Sequence, residues 1–176
     1  MCLYSRPANS LIDFEKVGNL VAVGNAYGAS GAIFSANAFG LVDSDFPGSG
    51  AGSGNIGGLP SPVTGMFFFV GDRAVMNVPA GFQFGISFWY SAVNFPGSLS
   101  VYDGLAGTGN LLGYKLLPLT PFKGAPDPTG IFSPFFCDRV EFDGIAKSVV
   151  FGGVRNEIVF DDITCGRDSM PPGWGD

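Results

Sequence analysis

The stretch from Phe82 to Ser91 (FQFGISFWYS) constrains this chain more than any other. Phe82, Phe84, Ile86, Phe88 and Tyr90 alternate with Gln83, Gly85, Ser87, Trp89 and Ser91. A period of two places the first set on one face of a β-strand and the second set on the other. A helix cannot use this pattern, because its apolar face recurs about every three to four residues. The segment therefore predicts a strand with one buried face and with Trp89 turned away from that face.

Shorter runs with the same character lie at Leu11–Glu15, Ala32–Ser35, Phe39–Val42, Met66–Val70, Ala74–Val78, Leu99–Tyr102, Leu111–Leu116, Arg139–Phe142, Lys147–Phe151 and Glu157–Ile163. Turn residues bound each run, and the 28 Gly and 13 Pro supply that punctuation. A spacing near ten residues is the rhythm of a sandwich or barrel. No segment holds a helical period for about twelve residues free of Gly and Pro, and Asn19–Ala26 could form a helical turn at most. Hydrophobic residues make up 46% of the chain, which separates it from disordered Gly/Pro-rich sequences. The reading is a single all-β domain over residues 11–166, with terminal extensions 1–10 and 167–176. Its two antiparallel sheets pack as a jelly-roll-like sandwich.

Two connections are long. Gly48–Pro62 (GSGAGSGNIGGLPSP) reads as a flexible surface loop within the domain, and Pro118–Pro134 is punctuated by proline. The cysteines are Cys2, Cys137 and Cys165, an odd number. Three reduced thiols, a Cys2–Cys165 bridge and a Cys137–Cys165 bridge all fit the spacing. Of the bridges, Cys2–Cys165 is the first choice, because these two flank the predicted first and last strands.

The chain has no histidine, which excludes a Ser-His-Asp hydrolase, a His-ligated zinc enzyme and a histidine pH switch. A net charge of −6 lacks the cationic footprint of nucleic-acid binding. No apolar run reaches the length of about 18 residues that a membrane span needs. MCLYSRPANS carries no signal-peptide core, and RDSMPPGWGD carries no anchor.

Carboxylates gather near the two ends of the predicted domain, in Ile12-Asp13-Phe14-Glu15 and in Phe160-Asp161-Asp162-Ile163. If these strands are neighbours, Asp13, Glu15, Asp161 and Asp162 converge. Like charges cannot all stay ionised at close range without a cation, and calcium favours carboxylate and carbonyl oxygen. A structural calcium is one reading of these residues, and the favoured alternative is that they cap strands and face water. Asp103, Asp138, Glu141 and Asp143 could supply a glycosidase pair, a weaker reading because acidic proteins carry such pairs by chance. Cys137 lacks a histidine to activate it as a nucleophile. The Gly-rich stretch Gly104–Gly113 lacks the Lys-Ser/Thr and helix of a phosphate loop and reads as a hairpin turn. Trp89, Tyr90, Tyr102, Tyr114 and Trp174 are candidate sugar-stacking rings, with core packing as the alternative. Trp89, Tyr102 and Asp103 lead as ligand-binding residues.

IDFE (Ile12–Glu15), VYDGLAGTGNLLG (Val101–Gly113) and VEFDGIAKSVVFGGVRNEIVFDDITCG (Val140–Gly166) resemble bacterial exported β-sandwich proteins of the PEP-CTERM-sorted type. The similarity runs from about Leu11 to Gly166, and its most specific part is the last block. The sorting tail itself does not occur in this sequence. The resemblance implies a jelly-roll-like sandwich of carbohydrate-binding appearance in bacteria that make extracellular polysaccharide, and it implies no enzyme activity. The FDDIT strand also resembles the last strand of MAM and galactose-binding-like domains. There, acidic residues near the first and last strands hold calcium, which puts Asp13, Glu15 and Asp162 first.

The expected function is a non-catalytic extracellular or cell-surface module that binds polysaccharide or matrix, with some capacity for self-association. The alternative is a self-assembling structural subunit of an extracellular filament or a virion, which low charge and abundant Gly and Phe would suit.

Overall fold

The computed structural model describes residues 11–120 and 134–166, and these form an antiparallel, jelly-roll-like β-sandwich. Its strands are β1 (Leu11–Ile12), β2 (Ile33–Phe34), β3 (Phe39–Val42), β4 (Thr64–Phe67), β5 (Arg73–Ala92), β6 (Gly97–Tyr102), β7 (Leu111–Leu117), β8 (Phe136–Gly152) and β9 (Ile158–Cys165). Two short 3-10 turns, Gly28–Ser30 and Leu105–Gly107, are the only helical elements among the described residues. Asn19–Ala26 forms turns rather than helix.

β5 and β8 organise the whole domain. Each combines two predicted strands into one, because the chain bends without losing its partner. Arg73–Asn77 of β5 pairs with Ser148–Gly152 of β8, and Phe84–Tyr90 pairs with Phe136–Phe142. Between these blocks the register shifts twice. Pro79 and Gly81 lie in the bend on β5, and Gly144 lies opposite on β8. Proline is tolerated at a bulge because no ladder donor is required there. The left-handed φ of Gly81, +81°, suits a residue without a Cβ. Strands that change sheet through such bulges form the corners of a sandwich.

The first half of β5 and the second half of β8 belong to a front sheet, with β2, β6 and β7. The other halves belong to a back sheet, with β9, β4 and β3. β9 is flanked on one side by β5. On its other side it meets β4 at Phe160 and then β1 at Ile163 and Thr164.

The main core lies between the sheets and contains Phe14, Phe34, Met66, Phe68, Met76, Ile86, Phe88, Leu99, Val149, Phe151 and Phe160. A second cluster of Leu41, Ile56, Phe67, Phe135 and Val159 lies on the outer side of the back sheet. Ile56, within the Gly-rich segment expected to be a flexible surface loop, is fully buried there. The segment is therefore a cover pinned by one apolar side chain.

Phe84 departs from the expected alternation. It stands at the register shift with φ +78° and is 43% exposed, so the bulge turns it out of the core. Among the described residues Cys137 and Cys165 are free, which excludes a bridge between them. The Cys2–Cys165 pairing, Trp174 and most of Pro118–Pro134 lie outside the described residues.

Candidate functional site

Three places on the sandwich carry the chemistry that the sequence singled out. The first is the seam where β9 exchanges β4 for β1. Asp161 and Asp162 lie at that exchange, between the residue paired to β4 and those paired to β1. A bulge opposite Phe88 gives Asp162 a φ of +45°. Both aspartates are buried, Asp161 completely. The amide N–H groups of Ser61 and Asp162 donate to Asp161 at 3.2 and 2.8 Å, and the Ser61 hydroxyl donates to Asp162 at 2.5 Å. Glu15 accepts from the Thr64 amide at 2.9 Å, and Asp13 accepts from the Tyr27 hydroxyl at 2.8 Å.

Charge coupling reaches Asp161 and Glu15 in this seam. Burial pushes the Asp161 carboxyl up to about 9, and the charge of Asp162 adds to the effect. Glu15 is also raised, by burial first, with the Thr64 amide opposing and the charges of Asp13 and Asp162 adding. The hydrogen bonds that reach Asp161 come from neutral amides. Among the described residues, no group of three or more His, Cys, Asp or Glu side chains is arranged as a ready ligand set. The seam collects the predicted residues without closing them around a common point.

The second place is the outer face of the front sheet. Leu99 and Val101 of β6 enter the core, so Ser98, Ser100 and Tyr102 face outward. Tyr114 is paired to Ser100 and Leu116 to Ser98, which puts both on the same outer face. Tyr114 is 55% exposed. The β6–β7 connection folds back over β8 and β5. The Gly107 amide donates to the Ser148 hydroxyl at 2.9 Å, that hydroxyl donates to the Gly104 carbonyl at 2.6 Å, and the Ala106 amide donates to Asn77 at 2.7 Å. Asp103 closes this connection by accepting from the amide and the side chain of Asn110, at 2.7 and 2.8 Å. Those bonds hold its carboxyl below the usual range, the side-chain bond contributing most. A Cβ at Gly109 would collide with the Asp103 carboxylate, so only glycine fits there. Asp103 thus shapes the rim of the tyrosine face, with both carboxylate oxygens engaged.

The third place is a cavity of about 470 Å³ at the end of the back sheet, with Trp89, Tyr90, Phe135, Phe136 and Asp138 among its lining residues. Trp89 faces away from the main core as expected. It is nevertheless half-buried, because it packs against the second cluster. The structure therefore separates the leading ligand candidates. Tyr102 pairs with Ser148 and Trp89 with Cys137, at opposite ends of β8 and on different sheets.

Three of the four carboxylates considered as a glycosidase pair are engaged by other side chains. Lys115 binds Asp138 at 2.9 Å, Arg139 binds Glu141 at 2.7 Å, and Asp103 is committed to Asn110. Burial and the neighbouring Asp138 push the Cys137 thiol up to about 12, and burial does the same to Cys165, so neither is an activated nucleophile. Sequence reasoning missed Ser61 and Thr64, whose backbone and hydroxyl donors hold the acidic seam. The run of small residues around them carries no sign of that task.

No protein-family description matches the sequence, and no curated protein does. Solved structures do match. The K2 cleaved adhesin domain of Lys-gingipain is 15% identical, covers 88% of this chain and 96% of its own length, and superimposes with a TM-score of 0.51. A carbohydrate-binding module from Clostridium stercorarium, solved with cellobiose, is 14% identical over 72% of this chain and 92% of its own, with a TM-score of 0.40. A carbohydrate-binding module of Cellvibrio mixtus lichenase 5A, solved with cellotriose, is 15% identical over 88% and 94%, with a TM-score of 0.39. At these identities the likeness concerns the fold, and the adhesin domain is the one of these three that supports it.

Proposed function

We propose that this chain is a non-catalytic, extracellular or cell-surface module that binds polysaccharide through the outer face of its front sheet. The observation that carries the reading is the placement of Tyr102 and Tyr114 on one face with the hydroxyls of Ser98 and Ser100. Aromatic faces give flat apolar contact to sugar C–H groups, and neighbouring hydroxyls fix orientation by hydrogen bonding. The engaged carboxylates and the raised thiols favour binding over catalysis. A glycan array followed by calorimetry tests the reading. The expected result is saturable binding of at least one polysaccharide, lost in the Tyr102→Ala/Tyr114→Ala double variant. Uniform absence of binding would overturn it.

The proposal includes a structural calcium at the seam of β1, β4 and β9, held by Asp161, Asp162, Glu15 and Asp13. Its support is an oxygen-only donor set in which a fully buried carboxylate meets only neutral donors. Calcium would let all four ionise and would tie the first strand to the last. Calorimetry on chelator-treated protein should show binding together with a higher melting temperature.

A second reading, self-assembly, draws on β7. This edge strand of the front sheet exposes Leu111, Tyr114 and Leu116 in one short run. Light scattering separates the two readings, since a subunit of an assembly would grow with concentration in the absence of any glycan.

A further inference from the structure

Three turns meet at one end of the sandwich: 68–72 between β4 and β5, 93–96 between β5 and β6, and 153–157 between β8 and β9. Large apolar side chains stand out from all three. Val70 is 56% exposed, Phe95 48%, Val154 41% and Phe69 38%. Phe69 is steadied by stacking on Phe39 at 4.6 Å. The turns are fastened to one another. The Asn156 amide donates to the Phe68 carbonyl and the Gly153 amide to the Asp72 carbonyl, both at 3.0 Å. The Val93 amide donates to the Glu157 carbonyl at 2.8 Å, and the Asn94 side chain donates to the Glu157 carboxylate at 2.9 Å. The tips are thus presented on a braced end, so little further ordering is needed on contact.

Two further features fit these tips to a poorly hydrated medium. The first is that their backbone is already engaged. The Val70 carbonyl accepts from the Asn37 side chain at 3.0 Å, and the Val154 carbonyl accepts from the Glu157 amide at 3.1 Å. The Phe95 amide donates to the Val93 carbonyl at 2.8 Å, and Pro96 has no N–H to satisfy. Engaged backbone groups lower the cost of leaving water. The second feature is charge. The chain carries −6, yet this end balances Asp72 and Glu157 against Arg73 and Arg155. Asp72 pairs with Arg73 at 3.1 Å, whereas Arg155 is exposed and makes no ion pair among the described residues.

We propose that this end docks on a phospholipid surface, with Val70, Phe95 and Val154 entering the headgroup boundary and Arg155 meeting lipid phosphate. The attachment is peripheral, made by turns and not by a spanning segment. Exposed Asn94, Arg155 and Asn156 are interspersed among the apolar tips. That spacing suits a medium that flows around single projecting groups better than a shaped protein partner, which buries a dry centre. The surface is separate from the tyrosine face, because β6 begins at this end with Gly97 and reaches Tyr102 at the other.

The test is co-sedimentation of the full chain with phosphatidylcholine vesicles, and with vesicles that also contain phosphatidylglycerol. Saturable binding to phosphatidylcholine is expected. Phe95→Ser should weaken it about tenfold, as for withdrawing half of a Phe side chain from an apolar medium, and Val70→Ser about three- to fivefold. Arg155→Gln should weaken binding about fivefold on the phosphatidylglycerol-containing vesicles and less on phosphatidylcholine alone. Phe95→Trp should keep the binding, since the indole suits the membrane boundary. These positions are exposed, so every variant should melt within about two degrees of wild type. Ile145→Ser changes a side chain that is 52% exposed at the far bend and should sediment as wild type, as should Tyr102→Ala/Tyr114→Ala. A loss in Ile145→Ser equal to that in Phe95→Ser would reveal general adhesiveness and overturn the proposal. Absence of binding to both vesicles would also overturn it. So would self-association in place of vesicle binding, abolished by Phe95→Ser, which would make this end an interface between copies.

Discussion

The outer face of the front sheet is open along β6 and β7, whereas the outer face of the back sheet is roofed by the loop that follows β3. The difference follows from the residues each sheet turns outward. The front sheet shows Ser98, Ser100, Tyr102 and Tyr114, which tolerate water. The back sheet turns out Leu41, Phe67 and Val159, which do not, and it gains a partial third layer through Ile56 and Leu59. One outer face is thus left to solvent, and the other is covered by the chain itself. The two outer faces differ because alternation along a strand ends in hydroxyls on one sheet and in hydrocarbon on the other.

Four expectations press on this contrast. The largest concerns the core the sheets share. Phe160→Ala removes a fully buried ring that contacts Phe88 and Phe151, and should cost about 3–5 kcal/mol in denaturant unfolding. Ile56→Ala tests the roof alone. It should cost about 2–3 kcal/mol, toward the low end for such a change because the cluster is small, and should shift Trp89 emission to the red. Equal costs for both variants would show that the roof is as integral as the core.

The third expectation concerns the seam beneath the roof. The folded Asp161 carboxyl is raised to about 9, above its unfolded value of about 3.9, so between these limits the native state binds the extra proton. Stability of the calcium-free protein should therefore be greatest near the lower limit and fall as pH rises toward 9. Asp161→Asn should flatten that slope, and calcium should do the same to the wild type. A slope of the opposite sign in urea titrations from pH 5 to 9 would refute the assignment. The smallest structural effect belongs to the open face. Tyr114→Ala should change stability by less than about 0.5 kcal/mol while weakening glycan affinity about three- to tenfold. A stability loss as large as that of Ile56→Ala would mean that the front face is packed rather than open.

Much of this arrangement was legible in the chain. Alternation from Phe82 to Ser91 gives the strand and the outward turn of Trp89, whereas the IDFE and FDDIT segments carry carboxylates whose convergence depends on strand pairing, and β1 does pair with β9. Phe84 escaped because a bulge depends on the partner strand, here on Gly144 and the residues around it, and not on the run itself. Periodicity makes Trp89 a candidate for an open surface but says nothing about what lies above it, so its half-burial stays open at the level of sequence. The signal for the roof was present but faint: Ile56 is a lone large apolar residue between Asn55 and Gly57. The separation of Tyr102 from Trp89 could not be read at all. It arises because β8 passes from one sheet to the other, joining two predicted strands that the sequence shows as distinct.

That shared passage also governs how the molecule comes apart. The pairing of β5 with β8 runs from Arg73 to Tyr90 through both layers, interrupted only at the bend. Neither sheet can peel away without breaking a strand that the other needs. Local opening is therefore left to the two-residue strands β1 and β2 at the margins. Hydrogen exchange is expected to show the remainder opening as one unit, after the acidic seam where β1 meets β9.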